Sequence, residues 1–409
     1  MVFGDTNLSL PFKTLNDVQY AGKRVLVRAD LNSSLDPKTK AILDDSRIVA
    51  ALPTLKELAK SKVVLMAHQG RPGDEDFTSL EKHTDVLKRN GIKASFVDDI
   101  FGPKAKDAIK KVKVGEVLVL QNTRYFEGEM KTGTPEEMAK EPIVKELYPL
   151  FDLFVNDAFG AAHRAQPSIV GFTAVLPSVA GRLVEKEIRT LTAATATDKH
   201  PWTLVLGGAK VEDKVQTLQK LLGTNRVDNA LLGGLVGTLF LVAQGGIPKD
   251  YVSSVKGYES SLTIAKQLLD KYPKVIGLPV DAAVERDGKR VECKLDQMKG
   301  APFLDIGPLT TEKFGKTITQ SAVVFANGPM GYFEKAPFAA GTEKVLDAIV
   351  KCKGVTIVGG GHMGAVAQMK GVAGKITHIS TGGGATINFL TGKKLELVAA
   401  LEAAAKRMK

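Results

Sequence analysis

A chain of 409 residues is too long for one ordinary hydrophobic core, so two domains are expected. With 44% hydrophobic and 25% charged residues it has the composition of a soluble globular protein, and no apolar run approaches the roughly 18 residues of a membrane-spanning helix. The net charge of +11 comes without a basic arm and with only 6% aromatic residues, which favours small anionic ligands over nucleic acid.

In chain order, the opening MVFGDTNLSLPFKTLND lacks the basic and apolar regions of a secretory leader. RVLVRA (24–29), VVLMA (63–67), ASFV (94–97), VLVLQ (117–121) and LFVN (153–156) read as strands. In the second half TLVLG (203–207), NALLG (229–233), KVIGL (274–278), AVVFA (322–326), VTIVG and THIS (377–380) read the same way. Runs of this length, apolar on both faces and separated by helical patterns, predict parallel sheets covered on both sides. The class is α/β, doubly wound and present twice. DDSRIVAALPTLKELAK predicts a helix capped by Ser46 and kinked or restarted at Pro53. GRLVEKEIRTLTAATA (181–196) predicts a helical seam between the halves, and KLELVAALEAAAKRMK a final helix. Cys293 and Cys352 show neither a disulfide framework nor a metal-ligand spacing, so a reducing cytoplasm is the simplest home.

Ligands of an open parallel sheet bind outside the carboxyl ends of its strands. In the first half those ends carry charge: Arg28, Asp30 and Asn32 after the first strand, then His68 and Arg71, Arg124, and His163 with Arg164. Arg47 opens the following helix. Guanidinium forks match carboxylate and phosphate oxygens, so this set suits a small, multiply charged anion. Arg28 is the weakest member, because it can pair with Asp30. In the second half glycine follows the strands instead, in LGGAKVEDK, LGGLVGTL, ANGPMGYFE, IVGGGHMGA and STGGGATI. Glycine admits a close ligand and a helix start offers free N–H groups, so five such turns predict a nucleotide cleft. Lys210 and Lys214 lie four apart on one helix face beside the first of them.

Two familiar signatures fail. Gly359, Gly361 and Gly364 satisfy G-x-G-x-x-G, but HISTGGGATINFL downstream has no acid for a ribose. A Walker A sequence is absent. A nicotinamide oxidoreductase and a nucleic-acid binder stay as rivals. An anion-gripping half and a nucleotide-gripping half predict phosphoryl transfer.

KRVLVRADLN, DDSRI, AHQGRP, NDAFGAAHR, LGGAKVEDK, LPVDAAVE, DIGPLT, NGPMGYFE and STGGGA together resemble the phosphoglycerate kinase family, in order and along nearly the whole chain. The resemblance implies two Rossmann-like domains, each a parallel sheet flanked by helices, joined by a helical hinge. The expected division is 1–177 for the triose-phosphate domain, 178–199 for the hinge and 200–392 for the nucleotide domain. Residues 393–409 would be a helix packing back on the first domain. The implied reaction is reversible transfer between 1,3-bisphosphoglycerate and ADP, giving 3-phosphoglycerate and ATP by hinge-bending closure. The implied partners are those small molecules, with no nucleic acid and no membrane, for a monomer or homodimer.

Asp30, Asn32, Arg47, His68, Arg71, Arg124 and Arg164 would then bind the triose phosphate. Arg47, Lys214, Gly383 and Gly384 would attend the transferring phosphoryl group. Gly208, Ala209, Lys210, Lys214, Gly233, Gly234, Asn327, Pro329, Glu334, Gly359, Gly360, Gly361, His362 and Gly382 would contact the nucleotide, with Glu334 at the ribose. The commoner family pattern has Asp after the three glycines; GGGH resembles the archaeal branch. A neutral imidazole is a poor ligand for a hard cation. Magnesium would therefore arrive on the nucleotide, with no direct protein ligand, leaving His362 to bind a phosphate oxygen, cap the helix or simply begin it. The LNSSL segment departs from the usual version of its motif, which bears on the loop around Asn32.

Overall fold

Alternation along the first strand sets the layers of the amino-terminal half. In β1 (Arg24–Ala29), Val25, Val27 and Ala29 face one core while Leu26 faces another. The same alternation splits Val63 and Leu65 from Val64 and Met66 in the fourth strand, and Leu153 and Val155 from Phe154 in the seventh. Each strand is thus apolar on both faces, as a sheet covered by helices on both sides requires.

The computed structural model describes residues 9–196 and 198–408; the expectation for MVFGDTNL falls outside the described residues. Contacts divide the chain into two compact units, one reaching Thr192 and resuming at Gly392, the other Ala193–Thr391. The boundary falls within the helix Arg182–Thr195.

The first unit holds β1, a small antiparallel pair β2 (Ser34–Leu35) and β3 (Ile42–Asp44), then β4 (Lys62–Met66), β5 (Ala94–Phe96), β6 (Val117–Val119), β7 (Leu153–Asp157) and β8 (Ser178–Ala180). Its main sheet is parallel, in the order β5-β6-β4-β1-β7-β8. The chain leaves β1 on one side for β4 to β6 and returns on the other for β7. The carboxyl ends of β4, β1 and β7 therefore flank the reversal, where an open sheet accepts ligands. The last helix, Glu396–Arg407, packs in this unit: Leu397 N donates to Ala162 O at 3.0 Å, and Arg407 Nη2 to Thr173 O.

The second unit repeats the plan with β9 (Trp202–Leu206), β10 (Asn229–Leu232), β11 (Ile276–Gly277), β15 (Val323–Asn327), β16 (Val355–Gly359) and β17 (His378–Ser380). The parallel order is β11-β10-β9-β15-β16-β17, reversing at β9. Between β11 and β15 lies an antiparallel sheet absent from the sequence expectations. It comprises β12 (Asp281–Arg286), β13 (Lys289–Lys294) and β14 (Asp305–Ile306), in the order β13-β12-β14.

Two helix expectations are corrected. Ser46 is the first helical residue, not the cap; Asp44 Oδ1 accepts its N–H at 2.9 Å and the N-cap position is Asp45. Pro53 does not restart the helix Ser46–Glu57, which runs through it. Pro53 is exposed, and its missing N–H leaves the Val49 carbonyl without the usual helical donor.

Candidate functional site

In the first unit the charged side chains fall where the strands end. Asp30 and Asn32 follow β1, His68 and Arg71 follow β4, Arg124 follows β6, and His163 and Arg164 follow β7. Asp30 is buried and accepts from Arg47 Nη1 at 2.6 Å, which fixes a guanidinium at the start of its helix. Gly160 makes this possible. A Cβ there would stand 1.9 Å from Asp30 Oδ2, so only glycine lets the loop carrying His163 and Arg164 approach the pair. Asn32 Oδ1 accepts from Gly70 N at 2.8 Å, tying the β1 loop to the β4 loop.

Arg28 does not pair with Asp30. It is wholly buried, with Nε donating to Ser168 Oγ at 2.9 Å, Nη1 to Ala29 O and Nη2 to His68 Nδ1 at 2.8 Å. A guanidinium can only donate, so His68 Nδ1 is an acceptor and the ring proton sits on Nε2. Burial, and then the charges of Arg28, Arg124, Arg164 and Arg47, hold the imidazole pKa well below its ordinary value, so His68 is neutral. Buried Glu129 completes the set by accepting from Ser168 N at 3.2 Å and from Ser168 Oγ at 2.5 Å. Glu129 and Ser168 went unread in the sequence, since nothing in YFEGEM marks a carboxylate that will be buried.

Arg124 is 4% exposed. Its Nη1 donates to Gly70 O, while Nε and Nη2 are buried without a partner. Burial, with Arg164 and Arg28 close by, pushes its pKa down to about 10. Arg164 is pushed down as well, chiefly by burial. Arg71 is exposed. Arg28, Arg47, Arg71, Arg124 and Arg164 outnumber the nearby carboxylates Asp30 and Glu129. Unpaired buried donors in so positive a bowl call for an anion with several oxygens.

In the second unit a cavity of about 560 Å³ opens at the carboxyl ends of β9, β15 and β16. Its wall includes Gly208, Ala209, Lys210, Lys214, Gly234, Asn327, Pro329, Glu334, Gly360, Gly361 and His362. Leu235, Phe303, Leu304 and Tyr332, unread in the sequence, supply its apolar side. Gly233, Gly359, Gly382, Gly383 and Gly384 are not on this wall. Gly233 lies against Met330 and Gly359 against Asn327, while Gly382 caps the separate helix Gly383–Leu390 after β17. Gly234 is forced by crowding and conformation: its φ is +54° and a Cβ would stand 2.8 Å from Gly208 N. Lys214 Nζ donates to Asn327 Oδ1, and burial pushes the ammonium down to about 8. Lys210, at the N-cap position of the helix Val211–Leu222, is exposed.

His362 begins the helix His362–Met369 behind Gly361, whose φ is +75°. Its ring lies 5.1 Å from that of Phe333, so the side chain packs on the pocket wall. Glu334 and His362 are the wall residues of metal-ligating type. Among the described residues no group of three or more His, Cys, Asp or Glu could hold a metal ion. The donor set therefore does not fit a protein-built cation cage. No helix of the described residues is long and apolar enough to cross a membrane.

Comparison with known proteins agrees along the chain. Residues 15–393 match the family model described as phosphoglycerate kinase. The chain is 43% identical over 404 residues to the phosphoglycerate kinase of Methanothermobacter thermautotrophicus, covering 97% of this chain and 98% of that one. It is 42% identical over 401 residues to that of Methanococcus maripaludis, covering 95% and 97%. The crystal structure of phosphoglycerate kinase from Pyrococcus horikoshii OT3 superposes with a TM-score of 0.90 at 39% identity, covering 97% of this chain and all of that one. The structure from Coxiella burnetii gives 0.75 at 30%, with the same coverage.

Proposed function

The chain belongs to the phosphoglycerate kinase family, and on that premise we propose that each unit holds one of two reactants. The arginine bowl of the first unit takes 3-phosphoglycerate or 1,3-bisphosphoglycerate, and the glycine-walled cavity of the second takes ADP or ATP. In the direction of ATP synthesis the bond from phosphorus to the acyl oxygen of 1,3-bisphosphoglycerate breaks. A terminal oxygen of ADP forms the new bond to phosphorus. The leaving carboxylate is ionised at neutral pH and the attacking phosphate oxygen carries no proton. No general base is needed, and the work left to the protein is positioning and charge stabilisation.

The observation that carries this reading is Arg124, buried among other guanidinium groups with two donor sites unpartnered. Its unmet donors suit the oxygens of a phosphorylated carboxylate. Asp30 holds Arg47 toward the bowl, where Arg47 would meet the moving phosphoryl group. Lys214 on the nucleotide side would balance the phosphates, Glu334 would meet the ribose, and the amides of Gly383 and Gly384 at a helix start would receive the group in transfer. Bringing the two reactants together would use the helix Arg182–Thr195 as the hinge. Magnesium enters as part of the nucleotide substrate, neutralising phosphate charge there. Cys293 and Cys352 are free thiols, in keeping with a reducing cytoplasm.

A coupled assay of acyl-phosphate formation tests this. Turnover should require ATP and 3-phosphoglycerate together. Purified, folded protein that forms no acyl phosphate with both present would refute it.

A further inference from the structure

The loops that carry the arginine bowl are joined by an amide the activity has not yet employed. Gln69 is wholly buried between His68 and Gly70. Its Oε1 accepts from Ser33 N at 2.8 Å and faces His83 Nε2 at 2.9 Å. Its Nε2 donates to Ser33 O at 3.0 Å and to Asp76 O at 3.1 Å. Two carbonyls and one amide N–H fix which end of the amide is which, so His83 must be the donor to Oε1. Burial pushes the His83 imidazole down to about 4, leaving it neutral, with a proton on Nε2 to give.

Gln69's main chain is gripped as well. Asn122 Nδ2 donates to Gln69 O at 2.7 Å, and Asn122 Oδ1 accepts from Gln69 N at 3.2 Å and from Arg124 N at 3.1 Å. One residue thus joins the Asn32–Ser33 loop, the His68–Arg71 loop and the Arg124 turn. The helix Glu81–Arg89 braces it through His83. Ser33 N, Ser33 O, Asp76 O and His83 Nε2 would all lose a partner if Gln69 became apolar.

We propose that Gln69, oriented by His83, is a positioning residue for the triose-phosphate site, acting through the loop that carries Asn32. It rests on the assignment of the arginine bowl to the triose phosphate. A hydrogen-bonded clamp admits one register between the loops, where an apolar contact would tolerate several. The Asn32 amide and the Arg124 guanidinium stay on the same anion because the loops beneath them cannot slide.

The test is a cycle of Gln69→Met, Asn32→Ala and the double variant, with Arg71→Ala beside them. Affinity for 3-phosphoglycerate is measured by calorimetry, KM for each substrate by steady-state kinetics, and thermal stability alongside. Gln69→Met should weaken 3-phosphoglycerate binding about 10- to 50-fold while KM for ATP stays within twofold. The double variant should bind no more than about threefold worse than the weaker single one, because both changes act on one loop. A fall in melting temperature with unchanged 3-phosphoglycerate affinity would overturn the proposal, as would multiplying effects in the double variant. If Gln69→Met does not fold, His83→Leu takes its place. A two- to fivefold loss confined to 3-phosphoglycerate supports the clamp, and no change overturns it. If Arg71→Ala also leaves 3-phosphoglycerate binding untouched, the assignment of the bowl itself is wrong. If Arg71→Ala weakens binding and Gln69→Met does not, only the clamp fails.

Discussion

Replacing Arg124 by methionine separates binding from folding. Methionine retains most of the apolar bulk and removes the charge. Charge-assisted hydrogen bonds from a buried group contribute about 1.5–3 kcal/mol each, so the two donors left unpartnered, Nε and Nη2, together set the expected loss at about 3–6 kcal/mol. That corresponds to about 100-fold to about 20,000-fold weaker binding of 3-phosphoglycerate. The ligand-free fold should respond differently. The variant loses the Nη1 bond to Gly70 O, about 1.5–3 kcal/mol, but it also relieves a buried charge crowded by Arg164 and Arg28, whose burial costs several kcal/mol. Its stability without ligand should equal or exceed that of the wild type. In the wild type, 3-phosphoglycerate at a hundred times its Kd adds about 2.7 kcal/mol, and the variant should lose most of that gain. Calorimetric titration and thermal melts with and without 3-phosphoglycerate read both effects. Unchanged affinity, or a large loss of stability without ligand, would refute the reasoning.

Lys214→Ala should collapse turnover while sparing 3-phosphoglycerate affinity, because the lysine belongs to the other unit; comparable turnover in the variant removes it from the mechanism. The Lys214 pKa of about 8 also predicts an alkaline fall in kcat/KM for ATP near pH 8, as the free enzyme loses the ammonium, and Lys214→Arg should move that fall above pH 10. Asp157, buried where its Oδ1 accepts from Leu183 N at 2.9 Å and Val184 N at 3.2 Å, is pushed up from 3.8 to about 6. The folded state then binds the extra proton between those values, so this contribution to stability is full below pH 3.8 and is lost as pH rises through 6, by about 3 kcal/mol at most. Asp157→Asn, which keeps an acceptor for both amides, should abolish that decline in denaturant titrations across pH 4–7, and a variant with the wild-type slope would exclude Asp157 as its source. Gly160→Ala should displace the Asp30–Arg47 pair and weaken 3-phosphoglycerate binding at least tenfold, measured by calorimetry; wild-type affinity would show that the loop yields freely.

The strands of both parallel sheets were legible because burial on both faces leaves an unbroken apolar run, as in RVLVRA and VVLMA. The antiparallel sheet was not. KRVECK carries four charges among its six residues and reads as surface. The signal that could have found it is the Asp287–Gly288 dipeptide between the two runs. Both residues take positive φ, 48° and 71°, as a tight hairpin turn demands. β8 has no signal of its own: SVA, set between Pro177 and Gly181, offers Val179 as its one large apolar side chain. Asp44, Asp45 and Ser46 are all good capping residues, so the helix start was readable only to within a residue or two. The arginines of the bowl were legible from their recurrence at strand ends. Gln69, Asn122 and Glu129 were not, since a polar residue's part is fixed by what encloses it, and that is tertiary information. Arg28 stands two residues from Asp30 in the sequence, but the fold gives it Ser168 and His68 as partners instead.

The division of labour between the units is tested most directly by the substrate dependence of paired variants. Arg71→Ala should raise KM for 3-phosphoglycerate at least tenfold and leave KM for ATP within twofold, while Glu334→Ala should do the reverse. Both KM values rising together in each variant, or the effects falling on the opposite substrates, would contradict an anion bowl in one unit and a nucleotide cavity in the other.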